Sequence, residues 1–172
     1  SLSASSFTRG LIAGGNTPST VNTIQYITIA STGNAADFGD MTQTRQNDGH
    51  CGFSTNIRGL FAGGYGGSPA AQTATIDYVA IATLGNAADF GDLTSARTGN
   101  SGGTSPTRGV SLGGYTPGLV NIIDFVEMST TGDAIDFGDL AAAIRTGDAV
   151  DSSTRAIRGG GAVSPESPGF SN

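Results

Sequence analysis

The chain has no tryptophan and no lysine, one cysteine, one histidine and two glutamates. Each shortage closes off a class of answers. Cys51 alone cannot form an intrachain disulfide, and one cysteine beside one histidine is too few for a Cys/His metal site. Any serine–histidine–aspartate triad would have to be built on His50. The helix-favouring residues Lys and Glu are nearly missing while glycine supplies 28 positions, a balance that disfavours helix and points to an all-β chain rich in turns. Positive charge is scarce too: 8 arginines face 14 acidic residues, for a net charge of -6 and a pI near 4.4. That sign argues against nucleic acid or an anionic bilayer as the partner, since both select clustered positive charge. No apolar run approaches the ~18 residues of a membrane helix, and no basic-then-apolar leader opens the chain, so membrane insertion is not expected. Ser1 in place of Met reads as a processed, trimmed or partial polypeptide.

What is present repeats. Arg-Gly recurs at Arg9-Gly10, Arg58-Gly59, Arg108-Gly109 and Arg158-Gly159, at steps of 49, 50 and 50. Gly-Gly follows at Gly14-Gly15, Gly63-Gly64 and Gly113-Gly114, then an apolar strand pattern at Ile24–Ile29, Ile76–Ile81 and Ile123–Met128. Asp-Phe-Gly-Asp closes each unit at Asp37–Asp40, Asp89–Asp92 and Asp136–Asp139, and Arg45, Arg97 and Arg145 open the next. The spacing divides the chain, read as a single repeat domain over residues 1–172, into repeats at about 1–44, 45–96 and 97–144 and a partial repeat at 145–172. The second repeat is longer by about three residues in the Tyr65–Thr75 stretch, where a surface loop absorbs an insertion.

Each unit accommodates four strands. A first, after the opening Arg, is made of small and polar residues; a second runs from Arg-Gly to Gly-Gly; a third is the Ile-x-Tyr-Ile-x-Ile pattern; a short fourth lies around the Asp-Phe-Gly-Asp turn. Third strands are apolar on both faces, which requires cover on both sides, as in sheets stacked between others. One such unit buries too little apolar surface to offset the ordering of its backbone, so the units must stack. The count is about 14 strands.

Gly-Gly at a strand end, an aromatic in the next strand (Tyr26, Tyr78, Phe125) and an Arg-led small-residue strand afterwards resemble the kelch repeat over essentially the whole chain. Where kelch blades carry a Trp, this chain has Phe38, Phe90 and Phe137, each 12 residues past the aromatic. The resemblance implies kelch-like β-propeller blades, four-stranded and antiparallel, about 3.5 of them. In wording, the run from Arg58 to Arg97 resembles repeats of virion and tail-fibre-associated proteins of tailed, especially marine, bacteriophages. Propellers close with about 4–8 blades, so either a longer polypeptide or a pair of chains forming a seven-bladed ring is expected to complete the array.

Candidate chemistry is sparse. The paired aspartates (Asp37/Asp40, Asp89/Asp92, Asp136/Asp139) have oxygens suited to calcium, but recurrence in every unit reads as turn chemistry, and no metal is assigned. The arginines are expected to pair with these repeated aspartates between blades. His50 and Cys51 are adjacent in a strand and so point to opposite faces, which speaks against a nucleophile–base pair. The non-repeated loops Asn16–Val21, Tyr65–Thr75 and Tyr115–Val120 are the better candidates for ligand contact, with Asn16, Tyr65 and Tyr115 as the residues singled out. The resulting expectation is a non-enzymatic structural or adhesion module of a phage virion or tail fibre, without cofactor. It would be virion-bound or extracellular, homo-oligomeric or joined to other virion subunits, and would contact a cell-surface glycan or protein receptor. The alternatives are a cellular, cytoplasmic kelch-like protein–protein interaction propeller and a carbohydrate-active propeller enzyme.

Overall fold

The computed structural model describes residues 1–163, and all regular structure there is β. Seventeen strands are formed. Four-stranded antiparallel sheets in simple up-and-down order are built by β1 (Leu2–Ser5), β2 (Arg9–Asn16), β3 (Thr20–Thr28) and β4 (Ala36–Asp40) in the first unit. After the short β5 (Arg45–Gln46), the second unit supplies β6 (Gly52–Ser54), β7 (Arg58–Ala62), β8 (Tyr65–Gly66), β9 (Ala71–Gln72), β10 (Thr75–Ala80) and β11 (Ala88–Asp92). Its four-stranded sheet runs β6, β7, β10, β11, while β5, β8 and β9 make a separate three-stranded ribbon. The third unit repeats the four-strand order with β12 (Ser101–Thr104), β13 (Arg108–Tyr115), β14 (Leu119–Glu127) and β15 (Ile135–Asp139). A two-stranded sheet follows, β16 (Asp148–Asp151) with β17 (Ala156–Gly159).

Two sequence expectations are corrected here. The first concerns the fourth unit. Asp151 pairs with Ala156 where Thr104 pairs with Gly109 and Ser5 with Gly10. Arg155, not Arg158, is therefore the counterpart of Arg9, Arg58 and Arg108. The turn before it agrees: Ser152 N donates to Arg155 O at 2.8 Å, as Ser6, Thr55 and Ser105 do to their arginines at 2.8, 2.9 and 2.7 Å. Gly160 and Gly161, at φ +67° and +112°, repeat the backbone of Gly113 and Gly114 at +62° and +124°. Identity of the Arg-Gly pair misled because backbone conformation, and not that dipeptide, sets the register.

The second correction concerns Asp-Phe-Gly-Asp, which is no turn. It lies inside β4, β11 and β15 and forms a β-bulge against the third strand, where the register slips between Ile24/Gln25, Ile76/Asp77 and Ile123/Asp124. Gly39, Gly91 and Gly138 sit at φ +145°, +146° and +135°, a conformation that a side chain disfavours. The bulge turns the Phe out of alternation, and its ring meets the third-strand aromatic edge-on, with centroids 6.1, 5.8 and 5.9 Å apart for Tyr26/Phe38, Tyr78/Phe90 and Phe125/Phe137. Arg9, Arg58 and Arg108 cover the other face of the same aromatics at 5.0, 5.2 and 4.7 Å.

Consecutive sheets are joined by the same clasp. The segment 85–87 of the second unit lies along the outer edge of β4: Gly85 N donates to Phe38 O and Ala87 N to Asp40 O, both at 2.8 Å, and Asp40 N donates to Asn86 Oδ1 at 3.0 Å. Residues 132–134 clasp β11 identically, with Gly132 N to Phe90 O, Ala134 N to Asp92 O and Asp92 N to Asp133 Oδ1. Arg9 then reaches forward to Ile81 O at 2.7 Å and Arg58 to Met128 O at 3.1 Å. The clasp satisfies the edge-strand groups that would otherwise be raw. Between the clasped sheets one apolar core runs through Leu11, Ile24, Phe38, Phe53, Leu60, Ile76, Ile81, Phe90, Val126 and Met128.

Candidate functional site

Buried charge is the first place to look for chemistry. Arg45 Nη2 donates to Asp77 Oδ2 at 3.0 Å and to Phe61 O at 2.9 Å, and Arg97 Nη2 donates to Asp124 Oδ2 at 2.7 Å. All four side chains are fully buried. Each carboxylate also accepts the backbone N–H and hydroxyl of a threonine: Thr42 on Asp77 at 3.1 and 2.6 Å, Thr94 on Asp124 at 3.1 and 2.7 Å. Burial lowers the proton affinity of both guanidinium groups from the ordinary arginine value, and the facing aspartates oppose that shift. The arginines thus bond third-strand aspartates within their own unit, and not the Asp-Phe-Gly-Asp carboxylates as the spacing suggested. The latch ties the segment entering a unit to its third strand, so its role is architectural.

A second polar cluster lies where the first strands converge. β1, β6, β12 and β16 come so close that a side chain on Gly52 would strike Ser3 O and one on Gly102 would strike Gly52 O. Asn47 Oδ1 accepts from Gly99 N at 2.6 Å and from Thr98 Oγ1 at 3.2 Å, while Asn47 Nδ2 donates to Asn100 Oδ1 at 3.1 Å. Asn100 Nδ2 and Arg97 Nη2 both donate to Ser111 Oγ, at 2.9 and 3.2 Å. Cys51 is fully buried against the same hydroxyl, 3.5 Å away, and burial pushes its thiol up to about 12. A thiol so held is not a nucleophile near neutral pH. His50 is half exposed, with Nδ1 2.6 Å from Asp148 Oδ1 of the fourth unit. That pair ties the segment just before β6 to β16 of the fourth unit. Among the described residues no group of three or more His, Cys, Asp and Glu is placed to hold a metal ion. Nor is any helix there long and apolar enough to cross a membrane.

No protein-family model matches this chain, and no curated protein matches it significantly. The functional reading therefore stands on geometry.

Asn16, Tyr65 and Tyr115 occupy one structural position, the residue after Gly-Gly, in the first, second and third units. The structure keeps them on separate sheets. Asn16 is exposed at the end of β2 opposite Thr20. Tyr65 pairs with Gln46 and Gln72 in the small ribbon and remains 37% exposed. Tyr115 is half-buried: its backbone bridges Thr98, and the Arg145 guanidinium lies 5.2 Å from its ring centroid. Tyr65 is thus the more accessible of the two tyrosines.

The sequence reading passed over a different convergence. The four first-to-second-strand turns share the pattern Ser/Thr-x-x-Arg: Ser6–Arg9, Thr55–Arg58, Ser105–Arg108 and Ser152–Arg155. They surround a cavity of about 630 Å³ lined by Ser5, Ser54, Thr55, Thr104 and Asp151, with Phe7, 84% exposed, at its rim. Ile57, Pro106 and Met128 line it too, and hydroxyls interleaved with apolar surface suit an uncharged sugar or peptide ligand better than a charged one. The recurring Ser/Thr-x-x-Arg spacing was the available signal.

Proposed function

We propose that this chain is a non-enzymatic display module, its sheets stacked as kelch-like propeller blades, that belongs to a phage virion appendage such as a tail fibre. The observation that carries this reading is that the junctions between units are built from one repeated set of contacts, while the connection after Gly-Gly in the second unit departs from the repeat. Gly-Asx-Ala clasps, forward-reaching arginines and Arg–Asp latches recur from unit to unit. The connection after Gly-Gly, by contrast, is rebuilt in the second unit: Asn16–Thr20 and Tyr115–Leu119 close as the same short turn, whereas the stretch from Tyr65 to Thr75 is longer and forms its own ribbon with β5. A scaffold held constant beneath varied loops is what adhesion requires, because many weak contacts on a rigid frame add through avidity. Convergence of the small-residue first strands and the meander order of every four-stranded sheet support the propeller reading.

In this reading the loops bearing Asn16, Tyr65 and Tyr115 at one end of the sheets, and the hydroxyl-lined cavity at the other, are the faces that meet a cell-surface glycan, a protein receptor or neighbouring virion subunits. The test is direct. Antibody raised against the chain should decorate the fibres of native particles in electron micrographs, and the purified chain should bind host cells in a saturable way that Tyr65→Ala weakens. Particles left unlabelled, with no saturable cell binding, would sink the proposal.

A further inference from the structure

The clasp that joins the first unit to the second, and the second to the third, has one acceptor edge left over. Phe38 and Phe90 are each 2% exposed beneath the clasping segment, whereas the equivalent Phe137 on β15 is 56% exposed and its neighbour Ile135 61%. A side chain on Gly39 or Gly91 would strike the carbonyl of Gly85 or Gly132, but around Gly138 there is nothing within 4 Å. Beside this edge, β17 carries a hydrogen-bonding edge that no described strand pairs, with Val150 and Ile157 exposed on the sheet. Between the two runs a groove of about 660 Å³ lined by Arg108, Val110, Leu112, Phe137, Leu140 and Arg158.

We propose that this groove is a β-augmentation site for a two-stranded hairpin of the same repeat type. The occupant follows from the filled copies. Its first strand adds to β17 as β14 adds to β13, placing aliphatic residues equivalent to Val79 and Ile81, or Val126 and Met128, in the groove. Its Gly-Asx-Ala segment then clasps β15, the glycine N–H donating to Phe137 O, the alanine N–H to Asp139 O, and the Asx side chain accepting from Asp139 N. Arg108 stands where Arg9 and Arg58 stand, in position to donate to the carbonyl that ends the incoming strand. The hairpin β16–β17 of a second copy cannot serve, because it repeats the two strands already in place. This inference goes beyond what the loops bind and is independent of it.

The probe is a synthetic peptide with the sequence of Leu119–Leu140, carrying one Trp in place of an exposed residue. The protein itself has no Trp, so emission reports binding alone. Saturable one-to-one binding to the full chain is expected, with amide protection appearing at Asp139 and within Ala156–Gly159 in hydrogen exchange. Phe137→Glu, which gives up the edge contact with Phe125 at a position already half exposed, is expected to lower the melt modestly without unfolding the chain and to weaken binding by about tenfold or more. A peptide with Ala134→Arg, which obstructs the clasp, is expected to bind as poorly. The proposal is overturned by lack of saturable binding, by binding that protects other amides, by indifference to Phe137→Glu, or by an Asp139 amide already protected before peptide is added.

Discussion

Asp77 and Asp124 each serve a guanidinium, a hydroxyl and a backbone N–H from full burial. Removing such a carboxylate leaves an arginine charge buried without its partner, which typically costs about 3–5 kcal/mol. Asp77→Ala and Asp124→Ala should therefore lower the urea midpoint strongly, while Asp37→Ala, at an exposed edge position, should change stability by no more than about 0.5 kcal/mol. Equal effects would mean that the latch is not what holds the entering segment. Cys51 gives a pH prediction. Its folded thiol is raised from 9.0 to about 12 by burial, so the folded state resists losing that proton while the unfolded chain loses it near 9. The contribution is complete below pH 9 and is lost as pH climbs toward 12, so stability should fall across that window. Cys51→Ala should flatten the fall, and thiol reagents at pH 8 should label the protein only at the rate of unfolding.

At the scale of the strand, the fourth-strand bulge distinguishes covered sheets from the open one. Gly91 and Gly138 share the same left-handed backbone, so alanine pays similar local strain at both. Only at Gly91 does the added carbon run into a clasping carbonyl, that of Gly132. Gly91→Ala should thus destabilise by about 1–3 kcal/mol more than Gly138→Ala, read as the difference in melting by circular dichroism. A difference near zero would show that the clasp yields freely. Asn86→Ala belongs to the same scale: it removes the acceptor for Asp40 N at a partly exposed site, an expected cost of about 1 kcal/mol.

At the scale of the molecule, no sheet covers its own third strand. Val79 and Ile81 are buried, but their first-unit counterparts Ile27 and Ile29 are 39% and 55% exposed because no sheet precedes them among the described residues. Stability is then a sum of units and their junctions. With the core continuous through the first three units, far-UV and tyrosine signals should unfold together in one transition. Two resolved transitions would mean that the junctions are weaker than the sheets.

Alternation and repetition are local properties, which is why residues such as Ile76, Tyr78 and Val79 announced a doubly covered strand, and why Gly63-Gly64 announced the end of the one before it. His50 and Cys51, expected to part as neighbours in a strand, lie just before β6, the first exposed and the second buried. Which partner each arginine takes and the bulge hidden in Asp-Phe-Gly-Asp were not legible, because each depends on contacts between residues well apart in the chain; the register of Arg155 was legible in its local Ser-x-x-Arg turn, which the repeated Arg-Gly pair obscured. The amino-acid order decided that sheets form and that they must be covered, since the pattern of apolar side chains dictates both. Tertiary structure decided how they are covered, through the clasp from one unit to the next and the edge of β15 left open, because hydrogen bonds between separate sheets exist only once the sheets have been brought face to face.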